Sequence, residues 1–364
     1  MGYLTLLDGT RTHAQIVVDM QARNPIITDA DVCGAIGELA NAGYLKDADL
    51  AASAAAFGPL ELERYRRNLE FFSYFKTEGN TTNFDYQARL RSSKVTVLGL
   101  GGLGSFVALS LVSAGVGDVL LVDYDNVELS NLNRQVLYTS SDIGRLKTEA
   151  AAERLAAVNP HVKLETRDLR VQDVETARLC MSGRDLLICA ADRPRVAIYD
   201  WLNAAAVDEK VAWMRGANDG LTVLLFLHVP GQTACFECEQ MASYARYDWY
   251  GEMLRYARDV IGDRTINPCT APVAGTIGNI AALEAVKYLT GASTPVIWGR
   301  KMGFDLRAME SWYADGEKQY NCPVCGHLDR LSVTASCVMF HAKWQLLFTL
   351  SGTLTLSPLL HTTC

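Results

Sequence analysis

Three glycines, Gly99, Gly101 and Gly104, form a G-x-G-x-x-G run directly after the apolar stretch VTVL. Glycines at this spacing let a strand turn sharply into a helix, so that backbone amides and the helix N-terminus converge on phosphate oxygens. Gly102 lies in the same loop. A loop of this kind serves NAD, FAD or ATP, and a purely structural turn satisfies it too. Asp123 closes the next apolar run, DVLLVD, about 20 residues further on, where a carboxylate can accept hydrogen bonds from ribose hydroxyls. That position suits NAD and ATP equally.

The cysteines suggest a second kind of chemistry. CFEC at 235 to 238 and CPVC at 322 to 325 supply Cys235, Cys238, Cys322 and Cys325 as two C-x-x-C pairs. Each pair can clasp one side of a tetrahedral Zn²⁺, and a fold that joined the pairs would tie the later segment onto the core. Cys269, in NPCTAPVAG, is either a reactive thiol or an ordinary packed or loop cysteine, and Cys33, Cys180, Cys189, Cys337 and Cys364 lack partner spacing.

Between and around the glycine loop and Asp123 stand RYRRN at 64 to 68, SNLNRQ at 130 to 135, GRLK at 144 to 147 and Asp192 in CAAD. In this order, over roughly residues 61 to 326, the set resembles the adenylation motifs of the ubiquitin-activating (E1-like) superfamily. A dehydrogenase would share only the glycine loop and the carboxylate at Asp123. The resemblance implies ATP, Mg²⁺ and a carboxylate substrate attacking the α-phosphorus, with structural Zn²⁺ on the two cysteine pairs. Negative charge then grows on phosphoryl oxygens and on departing pyrophosphate, and preplaced cations must meet it. Arg134 and Lys147 fit that need, and Asp192 matches the family's Mg²⁺-associated aspartate. Arg67 matches the family arginine that reaches the partner subunit's phosphates, which implies a homodimer; a solvated basic face of Arg64, Arg66 and Arg67 is the plainer reading. Asn131 and Gln135 either orient phosphates or cap turns.

RYRRNLEFF, CAADRP, VPGQTACFEC and CPVCG narrow the resemblance to the branch of that superfamily that adenylylates ribosomal peptides in microcin biosynthesis. It implies that residues 1 to about 60 clamp a ribosomally made precursor peptide, which such a module can bind by strand addition; the plainer reading is a module that only supports the dimer or binds nucleic acid. Two alternatives remain: activation of a ubiquitin-like sulfur carrier ending in Gly-Gly, and a non-catalytic relative that only binds leader peptides.

The elements that must position these residues follow from the hydrophobic pattern. KVTVLGL, DVLLVDYD and DLLICAAD read as strands, separated by helices over 105 to 114 and through KTEAAAERLAAV. The alternation predicts an α/β fold with a doubly wound, largely parallel sheet over residues 61 to 326. Before it, YLTLL and QIVVDM read as short β-like runs. TDADVCGAIGELANAGYL reads as a helix capped by Thr28 or Asp29 and closed by Gly43, which together suggest a small winged-helix-like module. The aromatic stretch from about Gln240 to Pro268 lines a substrate path or forms the core face of a helix. Residues 327 to 364 form a tail to which no role is assigned.

Across its 364 residues the chain is 49% apolar and carries a net charge of -7, which argues against a nucleic-acid partner. No basic start with an apolar core and cleavage site opens it, and no apolar run reaches the roughly 20 residues of a membrane span. A cytoplasmic location without a membrane partner is expected.

Overall fold

The computed structural model describes residues 4–42, 44–45, 56–75, 81–261 and 268–328. The predicted tail from 329 onward, and most of the Ala/Ser-rich stretch before residue 56, lie outside the described residues.

One eight-stranded sheet runs in the order β3-β2-β1-β4-β5-β6-β7-β8. Its parallel half comprises β1 (Lys94–Leu98), β2 (Asp118–Asp123), β3 (Lys163–Asp168), β4 (Leu186–Cys189) and β5 (Ala212–Asp219). An antiparallel meander of β6 (Thr222–His228), β7 (Arg300–Asp305) and β8 (Glu310–Asp315) extends one edge. The alternation of strand side chains builds two cores. Val119 and Leu121 of β2 face helices Gly102–Ala114 and Ala271–Thr290, where Val107, Leu111, Ile277 and Ala281 are buried. Leu120 and Val122 face the other way, onto Val174–Met181 and Ala197–Glu209, through Ala177, Cys180, Leu202 and Ala205. A strand buried on both faces needs the near-continuous apolar run seen in the sequence. The first two helices close tightly because position 278 is glycine: a Cβ there would stand 2.7 Å from Phe106 Cβ.

The N-terminal expectation requires correction. YLTLL contains a short 3-10 turn, Leu4–Leu6, and QIVVDM lies within a helix, α1 (His13–Arg23). Thr12 accepts a hydrogen bond from Gln15 N while the Gln15 side chain returns to Thr12 N, and this capping box starts a helix where short apolar runs alone look like strand. Thr28 caps α2 (Asp29–Asn41) in the same way, through Asp31, as expected. Among the described residues up to 45 there is no strand, so the wing of a winged helix is not seen there. Two further helices, α3 (Pro59–Phe72) and α4 (Asn83–Ser92), lead into β1.

Candidate active site

Strand register sets the site. Leu98 pairs with Val122 on one side and with Cys189 on the other, so the chain leaves β1, β2 and β4 in a row. The strand order reverses on either side of β1, which is where doubly wound sheets open a crevice for ligands. Gly99 turns with φ +88°, and a Cβ on it would stand 2.7 Å from Ala191 N; only glycine suits this position. A Cβ on Gly104 would stand 1.8 Å from Gly99 O, so the helix that starts at Gly102 can press against the loop only without a side chain there. Gly101 is open on its side-chain face, where the nearest atom is Gln135 Nε2 at 3.8 Å. That leaves a concave run of backbone beside a helix N-terminus, fit for phosphate oxygens.

Asp123 is buried and does more than await a ribose. Its Oδ2 accepts from Leu100 N at 2.6 Å, and its Oδ1 accepts from Tyr124 N at 2.8 Å and Asp125 N at 2.9 Å. The carboxylate therefore ties the glycine loop to the end of β2. Tyr138 braces the same loop from below, donating its hydroxyl to Leu100 O at 3.0 Å, and burial pushes its ionisation far above the usual tyrosine range. Ser105 donates to Gly101 O at 2.6 Å.

The polar motifs gather at the same edge. Asn131 caps a turn by accepting from Glu128 N at 3.0 Å. Gln135 is 3% exposed; its Nε2, a donor, is the atom that faces Gly101, and its buried Oε1 has no hydrogen-bond partner among the described residues. The Arg134 stem passes within 3.4 Å of where a Gly102 Cβ would be, while its guanidinium donates to Ser130 O and Asn133 Oδ1. Lys147 opens the helix Lys147–Val158; its backbone N donates to Asp125 O, and its buried ammonium sits 2.8 Å from Asp125 Oδ2. Asp125 is the residue the sequence reading missed: it stands two positions after Asp123 and has no motif of its own. Its partner is 22 residues away.

Asp192 follows β4 in the loop whose Ala190 and Ala191 lie against Gly99. It is exposed and accepts no hydrogen bond from the described residues, which leaves both oxygens available for a hard cation. Cys269 lies close enough to Arg134 to feel its charge, yet burial dominates and pushes the thiol up, so the environment does not favour a thiolate nucleophile. The aromatic stretch does not form a core face: Tyr244, Trp249 and Tyr256 are each more than half exposed.

Arg67 is not brought to this cluster. Its helix, α3, is anchored at the far end of the domain. Asn68 Nδ2 donates to Ala114 O at 2.9 Å, Asn159 Nδ2 donates to the Tyr65 hydroxyl at 2.9 Å, and Arg64 donates to Val158 O at 2.8 Å. Ala114 and Val158 end the two helices whose first residues, Gly102 and Lys147, border the glycine loop and Asp125. A helix of 13 residues is about 20 Å long, so Arg67 lies roughly that far from its own subunit's loop. Its exposed side chain has no hydrogen bond or ion pair among the described residues. A cavity of about 950 Å³, lined by Arg89, Arg184, Lys210 and Lys287, opens at this same far edge and includes none of the nucleotide-site residues.

The two cysteine pairs meet as the spacing suggested. Sγ atoms lie 3.8 Å apart for Cys235 and Cys238, 3.6 Å for Cys235 and Cys322, and 3.4 Å for Cys238 and Cys325, all buried. Tetrahedral sulfur at about 2.3 Å from Zn²⁺ gives edges of about 3.8 Å, so the donor set fits that ion. The thiols also compete for protons. Hydrogen bonding from Cys235 draws Cys238 down, while bonding with Cys238 pushes Cys235 up to about 12.

The chain belongs to the ThiF family, whose profile matches residues 65–324. It is similar to the molybdopterin-synthase adenylyltransferase of Escherichia coli, at 31% identity over 73% of this chain and 97% of that protein. It is similar also to the heterocyst HesA protein of Trichormus variabilis, at 32% identity over 74% of this chain and 90% of that one. Among solved structures, E. coli MccB with MccA-N7isoASN superposes with a TM-score of 0.73 at 23% identity, covering 87% of this chain and 86% of that one. The fold is therefore the MccB-like, E1-like α/β fold, and the chain is an ATP-dependent adenylyltransferase. No helix among the described residues is long and apolar enough to cross a membrane.

Proposed function

We propose that this ThiF-family enzyme adenylylates a carboxylate of a ribosomally made peptide, releasing pyrophosphate, in peptide-antibiotic biosynthesis. One observation carries the choice of substrate. The molybdopterin-synthase adenylyltransferase is matched over 97% of its length by 73% of this chain, whereas the MccB match takes in 87% of this chain, more than the 65–324 domain by itself. The likeness to MccB thus extends beyond the 65–324 domain, which supports a peptide over a carrier protein as substrate. MccB structures carry the MccA peptide.

In this reading the backbone N–H groups from Gly99 to Gly104 and the Gln135 Nε2–H donate to phosphates, and the Asp123 carboxylate keeps the loop in place and faces the ribose. Lys147 exchanges part of its pairing with Asp125 for phosphate oxygens as negative charge develops, and Arg134 does the same from the other side of Gly102. Asp192 holds Mg²⁺, which neutralises charge on the phosphates when bound. Arg67 completes the site of the other subunit in a homodimer, since it cannot reach its own. The four cysteines hold a structural Zn²⁺.

Activation of a sulfur carrier is the second reading, favoured by the 33% identity to the sulfur carrier protein ThiS adenylyltransferase of E. coli over 66% of this chain and 89% of that protein. Exchange of labelled pyrophosphate into ATP separates the two. We expect exchange that depends on a short peptide encoded beside the gene; exchange that ignores the peptide and responds to a Gly-Gly-ending carrier protein would move the enzyme to the second reading.

A further inference from the structure

A second set of metal-type donors stands in the N-terminal helices, outside everything described so far. His13 opens α1, Asp29 opens α2, and Cys33 lies one turn beyond Asp29 on the same face. Cys33 Sγ is 3.4 Å from His13 Nε2 and 4.0 Å from Asp29 Oδ1, and the three donor atoms all lie within 4.8 Å of one another. A tetrahedral ion with sulfur at about 2.3 Å and nitrogen or oxygen at about 2.1 Å requires sulfur-to-nitrogen and sulfur-to-oxygen edges of about 3.6 Å. The observed separations bracket that edge, so rotation of exposed side chains can close the set without moving either helix.

An independent observation suggests what such an ion would do. The core joining α1 to α2 consists of three buried residues, Ile16, Val17 and Val32, with a few partly buried neighbours. Segments with so little core commonly need a metal or a cross-link to hold their shape. The two helix N-termini oppose a cation, but a bound divalent ion displaces the thiol proton, and Cys33 with Asp29 then supplies two negative charges against it. The plainer state, a thiol hydrogen-bonded to an imidazole, would leave α1 and α2 held by that one bond and those few apolar contacts.

We propose that His13, Asp29 and Cys33 form a three-ligand site for a Zn²⁺-type divalent cation, with the fourth position open to solvent, and that the ion locks α1 onto α2. Mixed nitrogen, oxygen and sulfur donors select this class of ion over Mg²⁺ or Ca²⁺. The inference does not depend on the peptide reading, because its test needs no turnover. Full-length protein, purified with its tightly held zinc, is titrated with Zn²⁺ by calorimetry alongside Cys33→Ser and His13→Ala, with amide hydrogen exchange followed over residues 13–41. One saturable event per chain is expected, weakened at least tenfold in each variant, with zinc slowing exchange in α1 and α2 of the wild type only. Absence of the event in the wild type, or unchanged affinity in either variant, would overturn the site. Both variants alter exposed side chains, so the fold should persist; the retained cysteine-bound zinc serves as the control.

Discussion

At the residue scale, the nucleotide edge combines groups that hold the loop with groups free to meet a ligand, and substitutions should separate the two. Lys147 pairs with Asp125, whose side chain is 51% exposed, so losing the pair should cost stability under about 1 kcal/mol. Turnover of Lys147→Ala should nevertheless fall roughly 100-fold if the ammonium meets transition-state charge. Thermal melting beside pyrophosphate release checks both halves, and a variant that melts early but turns over normally would reassign the lysine to structure. Asp192→Ala should lose activity by a similar factor or more while keeping its melting temperature and bound zinc, because it removes an exposed carboxylate with no partner among the described residues. Gly104→Ala should fail differently. Its methyl would meet Gly99 O, so both stability and ATP binding should drop, by about 1–3 kcal/mol or more in stability.

At the element scale, the strands and helices that carry the site were readable because their apolar runs and glycine loop are strong local signals. Strand β1 and the helix from Lys147 stand where the pattern placed them, and the helix expected over 105 to 114 begins three residues earlier, at Gly102, inside the glycine loop. QIVVDM was misread because a short apolar run has no period of its own, and the deciding contact was the reciprocal Thr12 and Gln15 cap. Asp125 and Tyr138 were silent because their roles come from partners 22 and 38 residues away, which only the fold supplies. The cysteine pairs were legible through spacing alone, although their meeting depends on the whole path between them. Removing that junction should be felt at this scale: Cys322→Ser should release zinc and lower the melting temperature by roughly 5 °C or more, measured by metal analysis and calorimetry. Retained zinc with unchanged melting would mean that the four thiols do not share an ion.

At the scale of the whole molecule, the position of Arg67 bears on assembly. Its helix is pinned to the end of the domain opposite the glycine loop, so any contact with phosphate must come from a second copy. Arg67→Ala and Asp192→Ala should each be inactive alone. Mixed after dissociation and reassociation, they should recover about a quarter of wild-type activity, since half the dimers are mixed and each has one intact site. No recovery would remove the arginine from catalysis across the interface.

The most direct test of peptide adenylylation is the intact mass of the peptide encoded beside the gene after incubation with enzyme, ATP and Mg²⁺. A gain of one AMP, matched by pyrophosphate release and absent with Asp192→Ala, is the predicted result. An unchanged peptide mass under conditions where a Gly-Gly-ending carrier becomes adenylylated would contradict the account.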